Sequence, residues 1–409
     1  MTLQTKEQRQ SCLMAVLAGG VIMGLALGTR HTQGLFLLPV ILEHYWSRES
    51  FGFAIAIQNL VWGLAQPFAG MIADRFGSVK VVVGGIVVFA LGLSLMTVSA
   101  TPAQFTLSAG VLIGIGLSGT TFGAVYGALS RIVPPAQSGW ALGLAGAVGG
   151  IVQFFMVPGA QKLIAGFGWS NALLVLAGIV AASLLIAHKL RDRQLPAQFP
   201  ADAQQTLKEA LAEAFRHKGF WLLNLGFLAC GFQLAFIAVH MPAYLADKGM
   251  TAGSGVTALA IIALTNVIGT YYCGFFGGLY RRKYLLVGLY FVRALAMLLF
   301  VMLPLTTTSL YLFSAIMGLL WLGTAPLTNG LVSQVFGVKY ISTLFGFVFL
   351  GHQAGGFLGV WLGSYAFDTT GSYNAVWAVG IALGVAAGLL HWPINDAPVT
   401  RVSTTALTA

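Results

Sequence analysis

Apolar residues run through this chain in stretches too long for the buried face of a soluble helix, and short charged or Gly/Pro-rich gaps separate them. A helix needs about 20 mainly apolar residues to cross a bilayer. Cutting at the gaps predicts about twelve spans: 13–41, 50–73, 80–99, 103–130, 137–163, 168–188, 219–246, 253–279, 284–303, 308–333, 340–367 and 373–392. The pattern predicts an all-α integral membrane protein. The charged gap 189–218 divides the spans six and six, and "TLKEALAEAF" within it predicts a short amphipathic helix. The expected organisation is an N-terminal six-helix bundle (1–188), a linker (189–218), a C-terminal six-helix bundle (219–392) and a disordered polar tail (393–409). The first run is too long for a signal-peptide core and has no small-residue cleavage site after it, so it reads as a retained helix.

Charge sharpens this picture. Asp, Glu, Lys and Arg make up 8% of the 409 residues, apolar residues 57%, and mean hydropathy is +0.85. A soluble domain carries about 25% charged residues. The net charge of +10 could suggest a nucleic-acid partner, but its distribution excludes one. Sixteen of the 21 Lys and Arg fall in alternate gaps and tails, leaving Arg30, Arg48, Lys162, Lys248 and Arg293. This is the positive-inside bias. It predicts cytoplasmic termini and an even number of spans. The chain has no Asn-x-Ser/Thr sequon, in keeping with a bacterial inner membrane. Cys12, Cys230 and Cys273 have neither metal-ligand nor disulfide-framework spacing and read as packing residues.

The halves resemble each other weakly. At an offset of 203, Pro39 meets Pro242, Gly143 meets Gly346 and Phe154 meets Phe357; at 207, Asn59 meets Asn266 and Gly70 meets Gly277. Two parallel six-helix repeats point to a secondary transporter with its site at mid-membrane between the halves.

The loop after the second span, "GMIADRFGSVK", resembles the signature loop of the major facilitator superfamily through Gly70, Asp74, Arg75, Gly77 and Lys80. Ser78 and Val79 replace its usual basic pair. The matching loop of the second half, "GGLYRRKY", keeps the basic cluster and loses the acid. The resemblance implies that this loop pair acts as a cytoplasmic conformational latch. "ALGLAGAVGG" in span five is similar to a run of the monocarboxylate transporters and the oxalate:formate antiporter, through Ala141, Gly143, Ala145 and Ala147. The basic residues before that run, the acidic-glycine motif of span one and the arginine of span eight are absent. His352 and Gln353 stand near the depth of the antiporter's span-eleven lysine. The resemblance therefore implies the fold and alternating access, not a substrate.

All eleven acidic residues lie in gaps or tails, whereas Arg30, His31, Arg293 and His352 lie inside spans. A cation in a span costs about 2.5–3.5 kcal/mol on insertion scales, so its natural counter-charge here is an anionic substrate. Arg30 offers a planar fork suited to a carboxylate; snorkelling or pairing with carbonyls is the alternative. Gln33 shares its helical face. His31 points about 100° away, so the two are not expected to face the pathway together. His352 sits mid-span among glycines with Gln353 beside it, and histidine exchanges a proton near neutral pH; a satisfied core histidine is the alternative. His352, His31 and Arg293 are the candidates for proton coupling, with a structural bond the alternative for Arg293. Tyr126 and Trp321 occupy positions where, by the resemblance, aromatic residues close over substrate; plain packing is the alternative. "GIGLSG" (Gly114 to Gly119) follows no strand, which removes the nucleotide reading. No hydrolytic constellation, cofactor motif or metal-ligand spacing is present in the sequence.

The expected function is a monomeric secondary transporter of a small organic anion, a mono- or dicarboxylate, working without a cofactor and coupled to protons or to exchange. It is not expected to be an enzyme. The alternative is a proton-driven exporter of lipophilic neutral or anionic compounds.

Overall fold

Among the described residues (6–46, 48–191 and 205–401 of the computed structural model), eleven helices are long and apolar enough to cross a membrane. One of them, Ser138–Leu190, has 53 residues. At a rise of 1.5 Å per residue it would be about 80 Å long, far beyond the roughly 30 Å of bilayer hydrocarbon. It turns at Gly168, whose φ of +77° is a left-handed conformation that favours glycine. The turn makes it two crossings and brings the total to twelve. Helical bonding continues up to the turn, where the sequence predicted a gap at 164–167.

In chain order, α1 is Lys6–Thr32, prolonged by a 3-10 turn Gln33–Phe36 and by Leu37–His44. α2 is Arg48–Phe76 and α3 is Ser78–Met96. α4 is Pro102–Ile132, with a π-helical stretch Thr106–Leu112 and a break at Thr121. α5 and α6 are the arms before and after Gly168. α7 is Lys218–Asp247, α8 is Ala252–Leu279 and α9 is Arg282–Met302. α10 is Thr307–Leu319 and Thr324–Phe336 across a short break. α11 is Ile341–Thr370 and α12 is Asn374–His391. The amphipathic segment of the linker forms the helix Leu207–Arg216, opened by a capping box between Thr206 and Glu209. Linker residues 192–204 and tail residues 402–409 lie outside the described residues.

The two six-helix halves meet along two equivalent seams, α2 against α11 and α5 against α8. Lipid offers no hydrophobic drive between helices, so close approach through small residues does this work. A Cβ on Gly143 would stand 2.9 Å from the Tyr271 carbonyl oxygen and 3.1 Å from Gly274 Cα. In the other seam a Cβ on Gly346 would stand 2.8 Å from Pro67 Cα. Thus the pair aligned by the sequence repeat, Gly143 and Gly346, holds the two seams. The glycines of "GIGLSG" also serve packing: Gly114 lies against the Gln58 carbonyl, Gly116 against Phe89 and Gly119 against Val81 and Gly85.

At one end the halves are tied by hydrogen bonds. Asp74, in the last turn of α2, takes an ion pair from Arg131 of α4 (2.7 Å) and crosses to Thr343 of α11, accepting from its backbone N–H (2.8 Å) and its hydroxyl (2.7 Å). Arg131 also donates to Ser342 across the seam (3.1 Å) and to Ser78 (2.6 Å). Gly70 lies directly against the Ser342 backbone, and Gly77 adopts a φ of +91° to start α3. Arg75 and Lys80 are exposed, both over the Phe76 ring. The tie therefore rests on Gly70, Asp74 and Gly77, with Arg131 added.

At the same end the tail departs from expectation. Residues 393–401, for which composition predicts disorder, bind across the second half. Asp396 pairs with Arg281 (2.5 Å), the Ile394 carbonyl accepts from Lys283 (2.8 Å), and Arg401 pairs with Glu213 of the linker helix (2.7 Å). Asp396 thus supplies a carboxylate to the basic loop that lacks its own. The hydrogen bond and charge of Arg281 hold the Asp396 carboxyl below the usual carboxylate range. This tie is therefore complete above about pH 4 and is lost only as pH falls through the lowered value.

Two outcomes follow from the seams. Gly143→Leu overfills its seam and should cost about 1–3 kcal/mol, seen as a lower unfolding temperature in detergent. Gly166→Leu, with nothing within 4 Å of its Cβ, should cause no loss. Asp74→Asn should loosen the tied end; the disulfide yield between cysteines placed at Ser130 and Asn329, whose side chains meet across the halves at 3.4 Å, should fall. An undiminished yield would show that the carboxylate does not hold the halves together.

Candidate functional site

Arg30 lies in the last turn of α1 before the backbone tightens at Gln33. Its guanidinium Nη2 donates to Asn59 Oδ1 of α2 and its plane lies over Trp62, 5.2 Å from the ring centroid. Asn59 is oriented by donating its own amide to the Ile55 carbonyl (3.1 Å). The Trp62 indole donates to Gln66 (3.1 Å), and Gln66 donates to the Ser118 carbonyl of α4 (3.0 Å). This chain fixes the platform under the cation, and a cation–π contact adds about 0.5–2 kcal/mol.

The second half contributes from α7, α10 and α11. His352 Nδ1 stands 2.9 Å from Gln353 Oε1. An amide oxygen only accepts, so this bond assigns the proton to Nδ1. Phe349 stacks on the imidazole at 5.1 Å and Phe227 packs at 4.6 Å. Trp321 and Leu322 come from the break in α10. A broken helix in hydrocarbon exposes backbone groups that must find partners. Arg293 provides them, bonding the Leu320 carbonyl and, at 3.1 Å, the Trp321 carbonyl. Asn266 of α8 accepts from the Leu322 N–H (3.0 Å).

These groups surround a cavity of about 60 Å³ at the seam of the halves, lined by Arg30, His31, Asn59, Trp62, Phe122 and Gln153 from the first half, and by Trp321, His352 and Gln353 with an apolar face of α7 from the second. Arg30 is its one permanently charged lining residue, and no carboxylate lines it. Four buried polar atoms around it have no partner within the protein: Arg30 Nε, His31 Nε2, Gln153 Oε1 and Gln353 Nε2. Leaving a buried donor or acceptor unmet costs about 1–3 kcal/mol. The wall therefore presents unmet polar atoms beside one permanent cation. Among the described residues no cluster of His, Cys, Asp and Glu could hold a metal ion.

Of the residues singled out in the sequence, Arg30, His31, Trp321, His352 and Gln353 meet at this cavity. Arg30 and His31 line it together, contrary to the 100° argument: the long Arg30 side chain reaches sideways to Asn59, so the angle between Cα–Cβ bonds does not decide which groups meet. Gln33 is buried outside the cavity lining, with both amide atoms unpartnered. Tyr126 is fully buried one turn below Phe122, ring to ring at 5.4 Å. Arg293 stands behind the α10 wall, fully buried. Asn59, Trp62, Phe122 and Gln153 escaped the sequence reading. A signal for α2 was present: Asn59, Gly63, Gln66, Gly70 and Asp74 form a polar and small stripe at helical spacing.

The family model for the Major Facilitator Superfamily matches residues 12–360. The chain is 26% identical to the uncharacterized MFS-type transporter YcxA of Bacillus subtilis, over 90% of this chain and 91% of that protein. It is 24% identical to monocarboxylate transporter 11 of Homo sapiens, over 91% of this chain and 81% of that one. Among solved structures it resembles the Escherichia coli fucose:proton symporter FucP with a TM-score of 0.69 at 17% identity, over 92% of this chain and 97% of that one. Twelve apolar helices in two seamed halves and a family match over most of its length establish this chain as an integral membrane transporter of the Major Facilitator Superfamily.

Proposed function

We propose that this transporter moves a small organic anion, a mono- or dicarboxylate, by alternating access and with a proton as the coupled ion. One observation carries the reading: Arg30 is a half-buried cation lining the cavity at the seam of the halves, with no carboxylate in that lining and its buried Nε directed to no protein partner. A carboxylate accepts from such a group with a charge-assisted bond. His31 and Gln353 offer further polar atoms from either side. The kinship with monocarboxylate transporters supports the same class. The alternative of exporting bulky lipophilic compounds fits less well, because ligand pockets for drug-sized molecules run to about 300–1,000 Å³ and this wall is polar where it is charged. In this reading the end tied by Asp74 is cytoplasmic, as are both termini, in a bacterial inner membrane.

Arg30→Gln should weaken anion binding at least tenfold, since a hydrogen bond to a charged group contributes about 1.5–3 kcal/mol, and Arg30→Lys should restore part of it. The check is the thermal shift of purified protein against a panel of organic acids. Stabilisation by the same acid in Arg30→Gln as in the wild type would place the anion elsewhere. For orientation, a reporter fused after residue 409 should be active as a cytoplasmic reporter. Strong periplasmic phosphatase activity from that position would reverse the assignment of the two ends.

A further inference from the structure

Behind the α10 wall of the cavity lies a second buried cation whose partners differ from those of Arg30. Arg293 is completely buried. It donates to the carbonyls of Leu320 and Trp321, to Gln233 Oε1 (3.4 Å) and to Cys230 Sγ (3.2 Å). The three oxygens satisfy N–H groups and are neutral, so they leave the charge uncompensated. An arginine does not give up its proton inside a protein, and an isolated buried charge is expensive. The thiol of Cys230 is the one acceptor in this set that can ionise. It is itself fully buried and has a further hydrogen-bond partner in the Thr324 hydroxyl at 3.3 Å. An adjacent guanidinium is a setting that converts a cysteine to its thiolate.

We infer that Cys230 and Arg293 form a buried thiolate–guanidinium pair, and that Cys230 is the acid that takes up and returns the coupled proton. The inference rests on the reading of a proton-coupled anion transporter. The step is a proton transfer alone: Sγ⁻ gains one proton, one S–H bond forms, and no electron moves. The path is short. His352 lines the cavity from α11 and packs at 4.6 Å against Phe227, one turn before Cys230 on α7, so it passes the proton between cavity and sulfur. Protonation removes the counter-charge of Arg293, the residue that clamps the α10 break and so sets the position of Trp321 in the cavity wall. Proton uptake and the shape of the site are thereby linked. The other titratable groups packed around the pair are Tyr290 of α9, whose ring lies under the guanidinium at 5.6 Å, Cys273 of α8, and His391 of α12, stacked on Tyr290 at 5.0 Å. None is a carboxylate.

The test uses the full chain carrying Cys12→Ala and Cys273→Ala, so that Cys230 is the only thiol. Its first arm needs no substrate. Purified protein should show ultraviolet thiolate absorbance at neutral pH that vanishes in Cys230→Ser and falls in Arg293→Gln. A sulfur that stays a thiol from pH 6 to pH 9 overturns the pair. The second arm uses radiolabelled lactate, a compact carboxylate, in lipid vesicles. One unit of pH gradient drives about tenfold accumulation at one proton per anion. Cys230→Ser should keep lactate exchange while its accumulation falls to about unity, and Cys230→Asp should regain accumulation. Accumulation by Cys230→Ser equal to that of the parent overturns the coupling role even if the thiolate is seen. A parent that moves no lactate counts against the carboxylate reading, and the absorbance arm still decides the pair.

Discussion

A guanidinium keeps its charge in hydrocarbon, and the whole interior of this transporter is arranged around that constraint. Two such groups lie within apolar spans, Arg30 half-buried in the first half and Arg293 fully buried in the second, and among the described residues neither has an Asp or Glu hydrogen-bonded to it. Each must be held by neutral dipoles, by an aromatic face or by an anion of another kind. Arg30 has an amide oxygen, a tryptophan face and a buried Nε with no protein partner. Arg293 has three neutral oxygens, a sulfur and a tyrosine face, with its Nε likewise unpartnered. The first set is open toward the cavity and the second is closed around the α10 break, and this difference separates a binding group from a clamp.

The fold was legible because the bilayer imposes its thickness on the sequence. Runs of about 20 apolar residues separated by basic gaps can form little else. Only the joint between α5 and α6 was misplaced, because a helix can continue up to a single left-handed glycine without any break in apolar character. The order of the tail is not legible for a different reason. Residues 393–401 are polar and irregular in composition, yet order comes from partners far away in sequence, Arg281, Lys283 and Glu213.

The candidate site was legible where it carries charge. Arg30 and His352 stand out as ionisable residues in apolar runs, and the structure brings both to the cavity. Asn59 and Gln153 are amides, which cost far less to bury than a charge and so stand out less from an apolar run. Their roles depend on which helix they face, and one sequence without its seams does not give that. Cys230 is the extreme case. It reads as a small apolar filler until a guanidinium from another helix is found 3.2 Å away. No spacing rule links residues 63 positions apart.

The pseudo-symmetry of the halves explains how two arginines came to different tasks. Asn59 and Asn266 align in the repeat, in α2 and α8. Asn59 presents its amide oxygen to the Arg30 guanidinium, whereas Asn266 presents its amide oxygen to the Leu322 N–H at the α10 break. The same side chain thus holds a cation in one half and a broken helix in the other. A break in α10 needs two kinds of partner, an acceptor for its freed N–H and a donor for its freed carbonyls. Asn266 meets the first need and Arg293 the second. With its Nη groups taken up in this way, Arg293 stands behind the cavity wall, while Arg30, whose helix narrows without losing its bonding, lines the cavity. Asymmetry in backbone continuity therefore decides which half presents its cation to the cavity.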